Sequence, residues 1–489
     1  MGRRNDKMSA SIKSKTISGL AWNGIESFAT SAVNFIVSIV LARILVPEDF
    51  GLIAIVNALL LAASIVVDAG MTNALIRKKD CTPTDFSTAF VGNVSASVLC
   101  YAAIWAIAPM LAHYFRSEEL SDALRIMGVA TAINALSIVP QAILSKKIDF
   151  KSQAAISLVA CLVASIVAVG IAMVGGGVWA LVVRELLFHA LRVPLLWLKA
   201  RWKMRPTFSF ESFRSLFGFG SKLMFSSLLD TLYINLFTTF IGKVHSASAL
   251  GCYTRASALA GYPGKSMASI MQRVAYPYMS RLQDDRSAMM SAMRKFIGLS
   301  AFSIFPLMLW IIVMAEPLVE IILTSKWLTI IPLLQILCVT FMWQPIHALN
   351  LNLLQVKGRS DIVLKIEIAK KAVGATLFLL LLPKGILWVC IGQLAVSLIS
   401  LVVNCHFGGR LIGMGFMKQL RLLMPTLLNA CLMALLCRLI ACLIDSLLLQ
   451  LFVCSITAII VYFLGSRLMR QHEAKEFIGI LKSFANKQK

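Results

Sequence analysis

Nowhere along the 489 residues does the chain gather its charge into a polar module between apolar regions. That absence excludes the simplest reading of a net charge of +24, a nucleic-acid-binding domain. Short segments of alternating polarity, the mark of a membrane β-barrel, are missing as well. So are a CxxC pair and any Cys and His cluster with zinc spacing, since Cys405 beside His406 cannot close a site alone. Of the eleven cysteines, nine (Cys100, Cys161, Cys338, Cys390, Cys405, Cys431, Cys437, Cys442 and Cys454) fall inside apolar runs, where they act as small hydrophobes. No metal, structural disulfide or cofactor is expected. There is no A-x-A cleavage site behind the first apolar run, so that run reads as a helix and not as a secretory signal. Clustered carboxylate pairs suited to sugar chemistry are absent too, which argues against an enzyme.

What is present is apolar. Hydrophobic residues make up 58% and charged ones 14%, with a mean hydropathy of +0.81, more apolar surface than one soluble core can bury. A helix needs about 20 apolar residues to cross a hydrocarbon core of about 30 Å. Such stretches run through residues 17–42, 51–69, 87–110, 124–144, 153–174, 178–198, 216–241, 250–279, 296–316, 329–354, 362–382, 386–406, 422–443 and 446–466. The expected class is therefore an all-α integral membrane protein of about fourteen spans.

Loop charge tests that count. Arg77, Lys78 and Lys79, then Lys146, Lys147 and Lys151, then Lys199, Arg201, Lys203, Arg205 and Arg214 fill alternate loops, and the pattern continues to Arg410, Lys418 and Arg421. The loops between hold few cations, and one carries Glu118, Glu119 and Asp122. Lysine and arginine stay on the cytoplasmic side, so both termini are expected there and the span count is even.

A repeat runs through the chain at an offset of 200 to 209 residues. L-A-R-I-L-V-P-E-D-F-G, with Arg43 and Gly51, parallels I-G-K-V-H-S-A-S-A-L-G, with Lys243 and Gly251. Pro109 matches Pro317, Pro140 matches Pro345, and G-G-V-W-A-L at Trp179 matches G-I-L-W-V-C at Trp388. This divides the chain into a basic cytoplasmic N-terminus (1–16), an N-lobe of six helices (17–198), a basic cytoplasmic linker (199–215) and a C-lobe of six helices (216–406). Two further helices (407–466) and a basic cytoplasmic C-terminus (467–489) complete it. Parallel repeats of this kind suit alternating access, with the substrate between the halves.

Several stretches resemble a known family. They are L-A-R-I-L-V-P-E-D-F-G, D-A-G at Asp68, L-G-C-Y-T-R-A at Leu250 to Ala256, V-A-Y-P-Y-M-S-R-L-Q-D-D at Val274 to Asp285, and W-L-T-I-I-P-L-L-Q-I-L at Trp327 to Leu337. Together they are similar to the Wzx-like polysaccharide flippases of the multidrug/oligosaccharidyl-lipid/polysaccharide exporter superfamily. The resemblance implies a fold shared with the MATE drug exporters of that superfamily, two six-helix lobes around a V-shaped cavity and two added helices. It also implies a substrate of undecaprenyl-diphosphate-linked oligosaccharide, with membrane lipids and polysaccharide polymerase and assembly proteins as partners. Two other readings stay open: a cation-coupled multidrug exporter of the same superfamily, and a membrane-bound glycan polymerase or glycosyltransferase.

Charges at mid-depth cost about 2.5–3.5 kcal/mol each on insertion scales, so they require a partner or a wet cavity. A diphosphate would lose on the order of tens of kcal/mol of hydration in bare hydrocarbon, and a cationic groove removes that cost. Arg255 and Lys265 on the eighth span are the first candidates to bind it, with Arg184, Lys370 and Lys371 behind them. The bland alternative for Arg255 is a snorkelling side chain. For Lys370 and Lys371 it is an ion pair with Glu367, and for Glu185, His189 and Arg192 a self-neutralising stripe. Glu26, Asp230 and Glu367 are candidates for ion coupling or for counter-charge. The tryptophans Trp22, Trp179, Trp327 and Trp388 read as interfacial anchors.

Overall fold

A computed structural model of the chain describes residues 33–469 apart from 79, 148 and 206, and further residues 471, 473, 474, 476, 477 and 479. Among the described residues there is no strand. Helix α1 (Val33–Ile44) is the described part of the first expected span. Then follow α2 (Pro47–Asp68), α3 (Met71–Arg77), α4 (Pro83–Phe115), α5 (Glu119–Ala135), α6 (Ile138–Lys146), α7 (Phe150–Met173), α8 (Trp179–Ala200), α9 (Phe210–Val244) and α10 (Ala247–Arg281). The remainder is α11 (Arg286–Val313), α12 (Ala315–Leu323), α13 (Ile331–Phe341), α14 (Gln344–Val356), α15 (Ser360–Leu381), α16 (Ile386–Ile412), α17 (Phe416–Ala441) and α18 (Leu447–Leu468).

Local signals set the helix ends. Thr82 caps α4, accepting from the Asp85 amide at 3.2 Å, while the Asp85 carboxylate takes the Thr82 amide at 2.9 Å and Pro83 supplies the first helical φ. Asp149 and Ser209 cap α7 and α9, their side chains accepting from the amides of Ser152 and Ser212. The second expected span, 51–69, corresponds to α2 and ends where Ala69 and Gly70 take φ of 45° and 69°, with α3 continuing beyond it. A side chain on Gly70 would strike the Gly220 backbone, so the glycine both turns the chain and lets α9 approach. The fourth and tenth expected spans are broken internally, into α5 and α6 and into α13 and α14. Pro140 and Pro345 lie in the opening turns of the second pieces.

Ten helical segments among the described residues are long and apolar enough to cross a membrane. Three other helices, α8, α10 and α15, are 22, 35 and 22 residues long. Charged residues interrupt α8 (Arg184, Glu185 and Arg192) and α15 (Lys365, Glu367, Lys370 and Lys371), whereas α10 carries Arg255, Lys265 and Arg273 among many glycine, serine and tyrosine residues that lower its hydropathy. The outward surface is lipid-like, with Leu99, Met110, Ile166, Leu198, Leu229, Leu448 and Phe452 all more than half exposed.

By packing, the chain divides into two compact units, one ending at Gly251 and one starting at Cys252. In the first, α7 pairs with α8, α4 with α5, and α9 lies against α2, α3 and α4. Leu75, Phe90, Val139 and Leu196 are buried together there, with Trp197 and Trp202 packed on them. In the second, α11 packs on α17, α17 on α18, and α16 on α13, α14 and α15. Phe302, Phe305 and Trp327 are the largest side chains wholly buried in that unit.

Candidate functional site

In the first unit the charged helix α8 supplies two arginines with different surroundings. Arg184 donates through Nη2 to Asn34 Oδ1 on α1 and through Nε to Ser165 Oγ on α7 at 3.3 Å. It ties three helices together. One turn further, Glu185 meets His189 at 3.3 Å. Arg192 instead reaches Gln141 Oε1 at 3.0 Å and Asn134 Oδ1 at 3.5 Å. The stripe of Glu185, His189 and Arg192 is therefore split between two environments.

Arg192 lines a cavity of about 460 Å³ together with Asp68 at the α2 terminus. Asp68 Oδ1 accepts the Thr72 hydroxyl at 2.5 Å and the Thr72 amide at 3.3 Å, so the break at Ala69 and Gly70 is stapled across by the acid. Thr131, Asn134, Ser137 and Gln141, spaced along α5 and α6, give the cavity a polar wall, and Leu223 and Met224 of α9 give it an apolar one. Sequence reasoning did not single out this cavity. Asp68 stood outside the depth criterion because it ends a span, although the spacing of Thr131, Asn134 and Gln141 on one helical face was a visible signal.

In the second unit, L-G-C-Y-T-R-A and W-L-T-I-I-P-L-L-Q-I-L pack on each other. Cys252 Sγ lies 3.4 Å from Thr329 Oγ1, and the Arg255 guanidinium carbon 5.7 Å from the centre of the Trp327 ring. Arg255 is only 6% exposed. Trp327, expected as an interfacial anchor, is completely buried. The tryptophan serves as a platform for the cation, and the two stretches pack on each other there.

Lys265 differs from Arg255. It is exposed, and its ammonium stands 4.9 Å from the centre of the Phe341 ring. Gly264 beside it lies against the Phe341 backbone, which brings α10 close to α13. On α15, Lys370 pairs with Glu367 at 2.5 Å, the intrahelical pair that the spacing allows, and Lys371 is half-buried. Asp230 is exposed on α9. Glu26 lies outside the described residues.

A second feature was missed, a buried polar network across α14, α16 and α17. Asn350 and Gln419 exchange amide hydrogen bonds of 2.9 and 3.0 Å. His347 contacts Ser397 Oγ at 3.3 Å and Asn404 Nδ2 at 3.4 Å. These side chains are uncharged amides, hydroxyls and an imidazole, so a search for charges in spans passes over them.

A family model described as polysaccharide biosynthesis protein matches residues 40–332. The chain belongs to that family. Lipopolysaccharide biosynthesis protein WzxC of Escherichia coli (strain K12) is 25% identical over 366 residues, 74% of each chain. Succinoglycan biosynthesis transport protein ExoT of Rhizobium meliloti (strain 1021) is 23% identical over 334 residues, 68% of each. Among solved structures, the inward closed conformation of the lipid II flippase MurJ matches 91% of this chain and 98% of its own, with a TM-score of 0.74 at 14% identity. At that identity the match establishes the fold. The resemblance to Wzx-like exporters and the all-α membrane class therefore stand.

Proposed function

We propose that this chain moves a polyprenyl-diphosphate-linked oligosaccharide repeat unit from the cytoplasmic to the outer leaflet of a bacterial inner membrane. The product would feed O-antigen, exopolysaccharide or capsule assembly. The observation that carries this reading is the concentration of charge in α8, α10 and α15 of an otherwise apolar helical chain. Polar side chains inside a membrane protein are retained where they face a wet path or a polar substrate. Lys265, exposed over Phe341, is the leading contact for the diphosphate, with Arg255, Arg184, Lys370 and Lys371 as further candidates. Glu26, Asp230 and Glu367 would balance that charge or couple an ion.

The relatives support a sugar-bearing substrate, since their names place them in lipopolysaccharide and succinoglycan biosynthesis. In the proposed cycle two six-helix lobes alternate their opening, the tail stays in lipid, and the polar head crosses in water. No covalent bond is made or broken. With both termini cytoplasmic, each net negative charge carried outward gains about 2.3 kcal/mol per 100 mV of interior-negative potential.

The test is a deletion strain assayed for lipid-linked oligosaccharide facing the cytoplasm. Accumulation that reverses on complementation is the expected result, and its absence would sink the proposal. Collapsing the potential in reconstituted vesicles should slow flipping of the same lipid.

A further inference from the structure

The cavity between Asp68 and Arg192 has a chemistry unlike that expected of a diphosphate groove. Asp68 and Arg192 are the charged residues lining it, one of each sign. A diphosphate would meet the Asp68 carboxylate across a small space, where like charges at close range repel. Hydroxyl and amide side chains make up most of the remaining polar wall, and each of them can both donate and accept. That mixture suits a ligand whose groups are themselves both donors and acceptors, which is a sugar. The apolar wall of Leu223 and Met224 suits the C–H faces of a sugar ring. At about 460 Å³ the space falls within the range of small-ligand sites.

The placement fits as well. The cavity gathers the end of α2, the start of α3, the junction of α5 and α6, the second half of α8 and the first half of α9. In the topology proposed above, the cavity lies from about mid-depth toward the cytoplasmic side of these spans, on the path of the arriving lipid.

We propose that this cavity is a glycan subsite, which reads the sugar of the incoming lipid and is separate from the groups that hold the diphosphate. Arg192, oriented by Gln141 and Asn134, acts as donor, Asp68 as acceptor, and Asn73 on α3 closes the rim. The proposal rests on the flippase reading and assigns it a selectivity filter.

The full-length chain in lipid nanodiscs can be titrated with two probes. One is the lipid-linked oligosaccharide extracted from a strain deleted for this chain, and the other is bare undecaprenyl diphosphate. The wild type should bind the first about tenfold or more tighter than the second. Arg192→Gln and Asn73→Leu should each erase about tenfold of affinity for the glycan-bearing probe, while affinity for the bare lipid changes by less than about twofold. Asn73 is exposed, so its variant isolates recognition from folding. Loss of affinity for neither probe, or an equal loss for both in the Asn73 variant, overturns the subsite. A wild type that binds both probes equally overturns the subsite alone. A wild type that binds neither overturns the flippase reading with it.

Discussion

Adding a methyl group at Gly51 would place its Cβ 2.5 Å from the carbonyl carbon of Ala247 and closer still to the oxygen. The same change at Gly251 would place a Cβ 2.7 Å from the carbonyl carbon of Pro47 and 3.1 Å from the Gly51 amide nitrogen. The contact is reciprocal: the first turns of α2 and α10 cross so that residue 51 meets residue 247 and residue 251 meets residue 47. Ordinary van der Waals contact begins at 3.4 Å, so the helix starts would have to part by about 1 Å. Overpacking of that kind costs about 1–3 kcal/mol, offset by up to about 1 kcal/mol of helix propensity that alanine restores. Gly51→Ala and Gly251→Ala should each destabilise by about 1–2 kcal/mol. Gly170→Ala in α7, where nothing lies within 4 Å, should be neutral or slightly stabilising. Because one separation relieves both clashes, the double variant should cost less than the two single changes together. Thermal unfolding of the detergent-solubilised variants measures all four. A Gly51→Ala protein as stable as Gly170→Ala would refute the crossing, and strict additivity would refute its reciprocity.

Lys265→Ala should leave the melting temperature nearly unchanged, because the side chain is exposed, yet lower surface polysaccharide about tenfold or more in a deletion strain. Full complementation would remove Lys265 from the transport path. Asn350→Leu leaves Gln419, 1% exposed, short of its partner and should cost about 1–3 kcal/mol. The double change Asn350→Leu with Gln419→Leu should be milder than either single one, as read by the same unfolding assay. Asp285 caps α11, with its carboxylate held below the usual range by the Ala288 amide and the Ser287 hydroxyl. A depressed carboxyl pKa contributes stability above the unfolded value of about 3.9 and loses it as pH falls through the folded value. The melting-temperature gap between wild type and Asp285→Ala should therefore be full at pH 7 and narrow at about pH 3.

Long apolar runs made the membrane class and the helices legible, because lipid forces each run to satisfy its own backbone. The repeat pairing Gly51 with Gly251 was legible as spacing, but that the two meet was not, since a match at 200 residues carries no distance. The charged positions of α8, α10 and α15 could be read directly. Their surroundings could not: ten residues of helix separate Arg255 from Lys265 by about 80°, and that angle does not tell that one is buried on Trp327 and the other exposed over Phe341. Trp327 looked like an anchor because it ends a run, and only packing reveals it as the floor beneath Arg255. Asp68 and Arg192 stayed hidden as well. That they line one cavity follows from the packing of α2 and α8 in one unit, which neither the end of a span at Asp68 nor the helical stripe at Arg192 encodes.

The two polar assemblies that were missed divide the work. The Asn350 and Gln419 pair is buried and exchanges both of its amide bonds, so it holds α14 to α17 and leaves little for a ligand. The cavity at Asp68 and Arg192 holds polar groups open to a space of ligand size. In a protein solvated by lipid, polarity without a cavity is a fastener. Polarity around one is a candidate for recognition, which is why the decisive comparison is between a sugar-bearing and a sugar-free lipid and not between two levels of stability.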